Sequence, residues 1–326
     1  MTDTNGKVLV TGWPLLPEAE KLLCDNGFDV FVTKPAPDQA EMVKSLREIA
    51  PDALIVRTGL VDRACFEAAP GLKVIANHGA GYDDIDVAEA TRRGIPVFAA
   101  PGRNAISVAE HVFAQLLAIR KQLAQHDHLV RSGQWRPAKP MTSELHGTVL
   151  GLIGLGAIGE AVAELGRAFG MSVIAYDPGR SRDWPDGVGR CTALEDLLGQ
   201  SDVVSLHVPL NAGTRHLIDA DAITKMKTAA VLINAARGGV VDEQALLAAL
   251  DAGKLYGAGL DTFEAEPPAK TSPLLQHDRV VLSPHIAGVT PESALRMSMC
   301  CAENVVGFLA TGQGTPDLVN SDTLQS

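Results

Sequence analysis

Val149-Leu150-Gly151-Leu152-Ile153 runs directly into Gly154-Leu155-Gly156-Ala157-Ile158-Gly159, and a helical pattern follows over Ala157–Phe169. The first five residues form a short apolar run, the form taken by a strand buried on both faces. The next six are G-x-G-x-x-G in the context that gives the motif meaning, with a strand before it and a helix after it. Gly154 would permit the tight turn, Gly156 would let a pyrophosphate approach the backbone, and Gly159 would let helix and strand pack closely. Ala157 and Ile158 complete the first helical turn, whose N–H groups and positive dipole end face the phosphates. The next strand ends at Asp177, eighteen positions after Gly159. A carboxylate there can accept from the ribose hydroxyls and repels a 2′-phosphate, which favours NAD over NADP. A glycine-rich turn without a ligand is the plainer alternative. Arg180 and Arg182, which could accommodate a phosphate, are expected to be solvated loop charges.

The pattern around this motif repeats on both sides. Lys7–Thr11, Phe28–Val32, Ala53–Val56, Leu72–Ala76 and Ile95–Phe98 are short apolar runs, separated by helix-like Pro17–Asn26, Asp38–Ala50 and Asp62–Ala69. Asn104–Lys121 predicts a long helix with Ile106, Ala109, Phe113, Leu116, Leu117 and Leu123 on its apolar face. After a polar stretch, Arg131–Lys139, the alternation resumes. Thr148–Ile153, Ser172–Tyr176, Asp202–His207, Ala230–Asn234, Gly257–Leu260 and Val280–Leu282 are expected strands, and Glu243–Ala252 and Pro291–Leu309 are expected helices. Alternation of this kind predicts an α/β chain with two doubly wound, Rossmann-like parallel sheets.

Composition narrows the function. The 326 residues carry 28 Lys+Arg against 39 Asp+Glu, a formal charge of −11, and 46% are hydrophobic. That balance excludes a mostly disordered chain and disfavours a nucleic-acid partner, which would call for a basic face. No run approaches a membrane span, and the first residues lack the pattern of a secretory signal. Five scattered cysteines without C-x-x-C suit reduced thiols in a cytoplasmic protein, not a disulfide framework or a metal site.

Three blocks after the glycine motif carry chemistry. Asn234-Ala235-Ala236-Arg237-Gly238-Gly239, Asp261-Thr262-Phe263-Glu264-Ala265-Glu266-Pro267-Pro268 and Ser283-Pro284-His285-Ile286-Ala287-Gly288 each follow an expected strand. Ligands in open parallel sheets sit beyond the carboxyl ends of strands, so Arg237, Glu266 and His285 would arrive at one edge. Taken singly, each has a dull reading as a surface or loop residue. Together they suit hydride transfer at a carbon bearing oxygen. His285 would exchange the hydroxyl proton, Glu266 would orient the imidazole, and Arg237 would grip a carboxylate. Val208, after the strand ending at His207, would border the adenine or ribose.

These blocks are similar to the D-isomer-specific 2-hydroxyacid dehydrogenase family, with its phosphoglycerate dehydrogenase and hydroxypyruvate/glyoxylate reductase branches. The resemblance runs from Lys7 to about Leu309, and GLIGLGAIG, NAARGGVVDEQAL, GAGLDTFEAEPP and LSPHIAG are its most specific stretches. It implies a catalytic set at Arg237, Glu266 and His285, with NAD contacts at Val208, Ala235, Asp261 and Gly288, Asp261 lying on the nicotinamide side. It implies a substrate domain, flavodoxin-like, of residues 1–102 plus 292–326, around an NAD domain of 103–291, with a cleft between them. A homodimer built largely through the NAD domain and the segment Gln122–His146 is implied too, and Trp135 is expected at that interface.

The stretch Asn77-His78-Gly79-Ala80-Gly81 follows a strand, and its glycines would expose N–H groups to an anion. In the family the loop matching His78, Gly79, Ala80 and Gly81 holds the substrate carboxylate. His78 would contact substrate or cap the turn. An Arg matching Arg57 reaches the anionic group in the phosphoglycerate enzymes, a surface Arg being the other account. Ala80 is Thr in some of those enzymes, which weakens that match. Gln stands at the Glu266 position in formate dehydrogenases, which disfavours formate. Regulated relatives carry a further C-terminal domain, and feedback control of that kind is not expected here. The alternative from another class is an NAD-responsive binding protein of the corepressor kind, which would need a partner surface or tail.

Overall fold

The computed structural model describes residues 5–135 and 142–324. In chain order its main elements are β1 (Gly6–Val10), α1 (Pro17–Asp25), β2 (Phe28–Val32), α2 (Gln39–Ile49), β3 (Ala53–Val56), α3 (Arg63–Ala68), β4 (Val74–Asn77), α4 (Val87–Arg92) and β5 (Val97–Phe98). There follow α5 (Ala105–Arg120), α6 (Leu123–Arg131), β6 (Val149–Ile153), α7 (Ala157–Ala168), β7 (Ser172–Tyr176), β8 (Val188–Arg190), α8 (Leu194–Gln200), β9 (Val203–Leu206) and α9 (Ala220–Lys225). The last are β10 (Ala230–Asn234), α10 (Glu243–Asp251), β11 (Leu255–Leu260), β12 (Val280–Leu282) and α11 (Pro291–Thr311). The chain divides into two compact units, residues 1–104 with 289–326, and residues 105–288.

The first unit holds a parallel sheet in the order β2-β1-β3-β4-β5. Its central strands need no alternation, because both faces are covered: every residue of Ala53–Val56 and Val74–Asn77 is buried. α11 covers part of one face, where Cys301, Ala302 and Val305 pack with Val8, Val10 and Ile55. It starts on a Thr290–Ser293 capping box with Pro291 in its first turn and stops at Gly312, φ 68°. The polar tail beyond it is docked. Asn320 accepts from Val97 N at 2.7 Å and donates to Ile95 O and Thr91 Oγ1, closing the edge of the short β5.

The second unit holds seven parallel strands in the order β12-β11-β10-β9-β6-β7-β8. The order reverses beside β6, so the crevice for a nucleotide opens at the carboxyl ends of β6 and β9. Two layers sandwich the sheet. Leu197, Ile223, Leu246 and Leu250 cover one face, and Val112, Leu116, Val162 and Ala163 cover the other.

The expected α/β class with two parallel sheets is what the chain adopts. Several local expectations need correction. α4, α6, α8 and α9 were not legible, because six to nine residues give few turns to show a period, and the three residues of β8 give too few alternations. The long helix ends at Arg120, since Gln122 takes φ 48°, and Leu123 opens a separate helix. Leu123 therefore leaves the buried face, 63% exposed, and Ile106 at the start of the helix is 60% exposed as well. β4 starts at Val74, and β5 starts after Pro96, which has no N–H to pair. Part of Arg131–Lys139 and of Gln122–His146 lies outside the described residues.

Candidate active site

The glycine turn in the second unit shows which side chains the backbone would refuse. Gly154 takes φ 91°, and a Cβ there would meet His207 O at 2.5 Å. A Cβ at Gly159 would meet Gly154 O at 2.4 Å, so the helix start can lie on the turn only with glycine. A Cβ at Gly156 would meet nothing within 4 Å. That space is where a diphosphate would come close, and Gly156 caps α7 without any side-chain bond. The N–H groups of Ala157 and Ile158 open that helix, so the residues present fit a dinucleotide's phosphates.

Asp177 stands at the end of β7, where its carboxylate also shapes the turn. Oδ2 accepts from Leu155 N at 2.8 Å and Oδ1 from Gly179 N at 3.2 Å. Arg180 departs from expectation. Its side chain is 5% exposed and reaches Leu155 O and Glu160 Oε1, the latter at 2.8 Å. It is a buried brace of the turn rather than a solvated charge, because Glu160 on α7 and the Trp184 ring enclose it. Arg182, 3.4 Å from Glu160, is half exposed. Val208 borders Gly154. His207 is engaged with Ser205 at 3.0 Å, and burial pushes its imidazole down to about 4, so it is neutral.

Beyond β10, Asn234 folds the next turn onto itself. Its amide donates to Arg237 O at 2.9 Å and accepts from Ala236 N at 3.1 Å, with Ala235 half-buried between them. The turn then passes close under the loop that follows β11. A Cβ on Gly238 would sit 1.9 Å from the Phe263 carbonyl carbon, so only glycine permits the approach. In that upper loop Glu266 Oε1 accepts from Phe263 N at 3.0 Å, and Oε2 lies 2.7 Å from His285 Nδ1. Glu264 and Glu243 clamp the loop from α10, each accepting the other's backbone N–H.

The loop after β12 carries His285 at φ 54°, a left-handed backbone that a non-glycine residue adopts only when held. Asp261 holds it. Its carbonyl oxygen takes His285 N, and its carboxylate takes Ile286 N at 2.9 Å and Ala287 N at 2.8 Å. Asp261 is 1% exposed, so this carboxylate is a buried anchor. Gly288 closes the loop, half-buried.

Electrostatics follow from these contacts. The bond to Glu266 raises the His285 pKa above the ordinary imidazole value; burial opposes this, the charges of Glu266 and Asp261 add to it, and Arg237 opposes it. Burial pushes Glu266 upward, but its bond to His285, the Phe263 N–H and the charges of His285 and Arg237 carry it below the usual value. The guanidinium of Arg237 is thus within electrostatic reach of both partners. An apolar cavity of about 410 Å³, walled by Phe263, Pro267, Pro268, Leu275 and Leu282, opens beside the pair.

In the first unit, Arg57 ends β3 and donates from Nη1 to Trp13 O at 3.1 Å and to Pro14 O. Asn77 ties down the next turn by donating to Gly79 O and Gly81 O, leaving Gly79 and Ala80 partly exposed and Gly81 exposed. His78 turns to α11, its Nε2 2.9 Å from Ser298 Oγ. Burial and the neighbouring Arg57 charge push it down to about 4, so it is neutral near pH 7. Ser298 was not singled out in the sequence, being 220 positions from its partner. Gly238, Asn234 and the Glu243–Glu264 clamp also escaped notice as site-builders, since their roles are contacts between loops.

A glycine turn at the reversal point of a parallel sheet, with a carboxylate-paired imidazole at the end of β12 on the same strand edge, defines the dinucleotide-binding oxidoreductase class. Comparison with known proteins narrows it. The family described as D-isomer specific 2-hydroxyacid dehydrogenase, NAD binding domain, matches residues 113–287. The chain is 40% identical over 321 residues to a D-3-phosphoglycerate dehydrogenase of Archaeoglobus fulgidus, covering 98% of this chain but 60% of that longer one. It is 40% identical over 329 residues to a glyoxylate reductase of Thermofilum pendens, covering 98% and 96%. A solved D-lactate dehydrogenase from Aquifex aeolicus, complexed with NAD and lactic acid, superposes with a TM-score of 0.83 at 32% identity, covering 96% and 99%. The chain belongs to the D-isomer specific 2-hydroxyacid dehydrogenase family.

Proposed function

We propose that this protein interconverts a D-2-hydroxy acid and its 2-oxo acid with NAD as partner. The observation that carries the reading is the 2.7 Å contact between His285 Nδ1 and Glu266 Oε2, under the charge of Arg237. NAD, when bound, supplies the hydride acceptor and NADH the donor. The chain supplies the proton and the orientation. With Nδ1 held by the carboxylate, His285 presents Nε2 to the reacting oxygen. Protonated, it donates during reduction; neutral, it accepts during oxidation. Arg237 pairs with the substrate carboxylate and polarises the adjacent carbonyl.

Gly154, Gly156, Gly159 and the start of α7 hold the diphosphate in this reading, and Asp177 receives the ribose hydroxyls, which favours NAD over NADP. Residues 105–288 bind the nucleotide in this reading, and the partly exposed Gly79–Gly81 turn is suited to hold a carboxylate. The substrate is a small 2-oxo acid such as glyoxylate or hydroxypyruvate, since Arg57 spends one of its nitrogens on the Trp13 and Pro14 carbonyls. A phosphorylated substrate is the second reading, because the same guanidinium remains partly exposed. The protein acts as a cytoplasmic homodimer in this account. The exposed Ile106, Leu123, Val130 and Trp135 support the assembly, and free cysteines support the compartment. Among the described residues no helix is long and apolar enough to cross a membrane.

The test is a 2-oxo acid panel with NADH and NADPH side by side, run on the wild type and on Arg237→Ala and His285→Ala. Both variants are expected to bind NADH and turn nothing over. Unimpaired turnover in both would remove the mechanism, and tight NADH binding without turnover of any acid by the wild type would favour a binding protein. Light scattering checks the dimer.

A further inference from the structure

His111 and Gln115 lie one turn apart on α5 and end on the same atom. His111 Nε2 is 2.8 Å and Gln115 Nε2 3.0 Å from Ser283 Oγ. The Ser283 hydroxyl donates to Asp261 Oδ1 at 2.6 Å. A hydroxyl has one proton and two lone pairs. With its proton on Asp261, Ser283 can only accept from the two side chains of α5, so His111 presents Nε2–H and its tautomer is set. That N–H also lies 3.6 Å from Asp261 Oδ1, its positive end toward a buried carboxylate. Asp261 in turn anchors the three amides of the His285 loop. A continuous chain of bonds therefore runs from α5 to the backbone of His285.

We propose that His111 is a positioning residue for the proton transfer of His285, acting through Ser283 and Asp261. The inference rests on the reading of His285 as proton carrier. His111 does two things from its distance. It keeps the Asp261 carboxylate aimed at the loop amides, and so keeps His285 in its left-handed backbone. Its N–H dipole also offsets part of the Asp261 charge that His285 feels. The charged groups facing His285 are Glu266, Arg237 and Asp261. His111 faces Asp261.

The experiment measures 2-oxo acid reduction with NADH across the neutral pH range for wild type, His111→Leu, His111→Gln and Ser283→Ala. His111→Leu is expected to lose about tenfold in kcat while KM and NADH affinity stay within about twofold. With the Asp261 charge less offset, the pH midpoint is expected to rise by roughly half a unit. His111→Gln, which keeps a side-chain N–H, recovers most of both. Ser283→Ala cuts the same chain one atom later and reproduces both changes. Wild-type kcat and midpoint in His111→Leu or in Ser283→Ala overturn the inference, as does a loss confined to KM, NADH affinity or melting temperature. His285→Gln is run alongside. Full turnover there removes the reading of His285 and the inference with it, whereas an inactive His285→Gln beside an unaltered His111→Leu removes the inference alone.

Discussion

The backbone N–H of His285 ends on the carbonyl oxygen of Asp261 at 2.7 Å, and the next two amides end on the carboxylate of the same residue. Asp261→Asn keeps one acceptor but turns an amide NH₂ toward a backbone N–H in a buried place. The expected outcome is a loss of about 100-fold in kcat, from a displaced imidazole, with a stability cost of about 1–3 kcal/mol. Steady-state kinetics and denaturant unfolding check the two parts separately.

In the proposed reaction Glu266 would set the pH range. Its bond raises the His285 pKa, so reduction, which needs the protonated ring, is retained to a higher pH than a free imidazole would allow. Oxidation needs the neutral ring and gains as pH rises through the same value. Glu266→Gln removes the charge, so the midpoint is expected to fall by about one unit, weakening reduction at neutral pH and extending oxidation to lower pH. Full pH profiles in both directions give the check, and an unmoved midpoint would contradict the pairing.

Gly238→Ala is expected to abolish most turnover while leaving NADH binding near normal. The added methyl would overlap the Phe263 carbonyl, and backbone cannot yield as a flexible side chain does. The Glu266 loop must move away from Arg237. A loss of about 100-fold or more in kcat/KM, with NADH affinity measured by fluorescence titration, is the expected pair of results.

Two glycines of the turn are predicted to fail in different ways. Gly156→Val places its side chain in open space, so the fold should survive while NADH affinity drops about tenfold or more. Gly159→Ala meets the Gly154 carbonyl at 2.4 Å and should lower the melting temperature instead. Equal effects of both on stability would contradict the geometry.

His78 and His207 are held neutral with pKa values of about 4. The unfolded chain takes up their protons near the ordinary value of about 6.5, so stability is present above that pH and is lost as pH falls toward 4. A melting temperature declining through this window is the expected result, and His78→Leu should make the decline shallower.

The parallel strands and the glycine turn were legible because their signals are local. A run such as Ala53–Val56 is apolar because both faces are covered, and G-x-G-x-x-G needs only its two flanking elements to be understood. Some short elements, such as Val87–Arg92 and Leu194–Gln200, were not, since one or two turns carry little period, although the equally short Arg63–Ala68 was. Arg237, Glu266 and His285 could be brought together on paper because each follows a strand, and parallel strands end at one edge. The supports of these residues were hidden. Nothing in the order of residues announces that His111 lies against Ser283 across 172 positions.

Residue order by itself determined the α/β class, the two parallel sheets and the family, because hydrophobic period and turn glycines act over a few neighbours. Tertiary structure alone decided that Asp261 is buried to hold a strained His285, that Gly238 lies beneath the Glu266 loop, and that Arg180 braces the nucleotide turn. Those facts depend on which backbones touch after the sheet has formed, and steric fit between segments distant in sequence leaves no periodic mark in either of them.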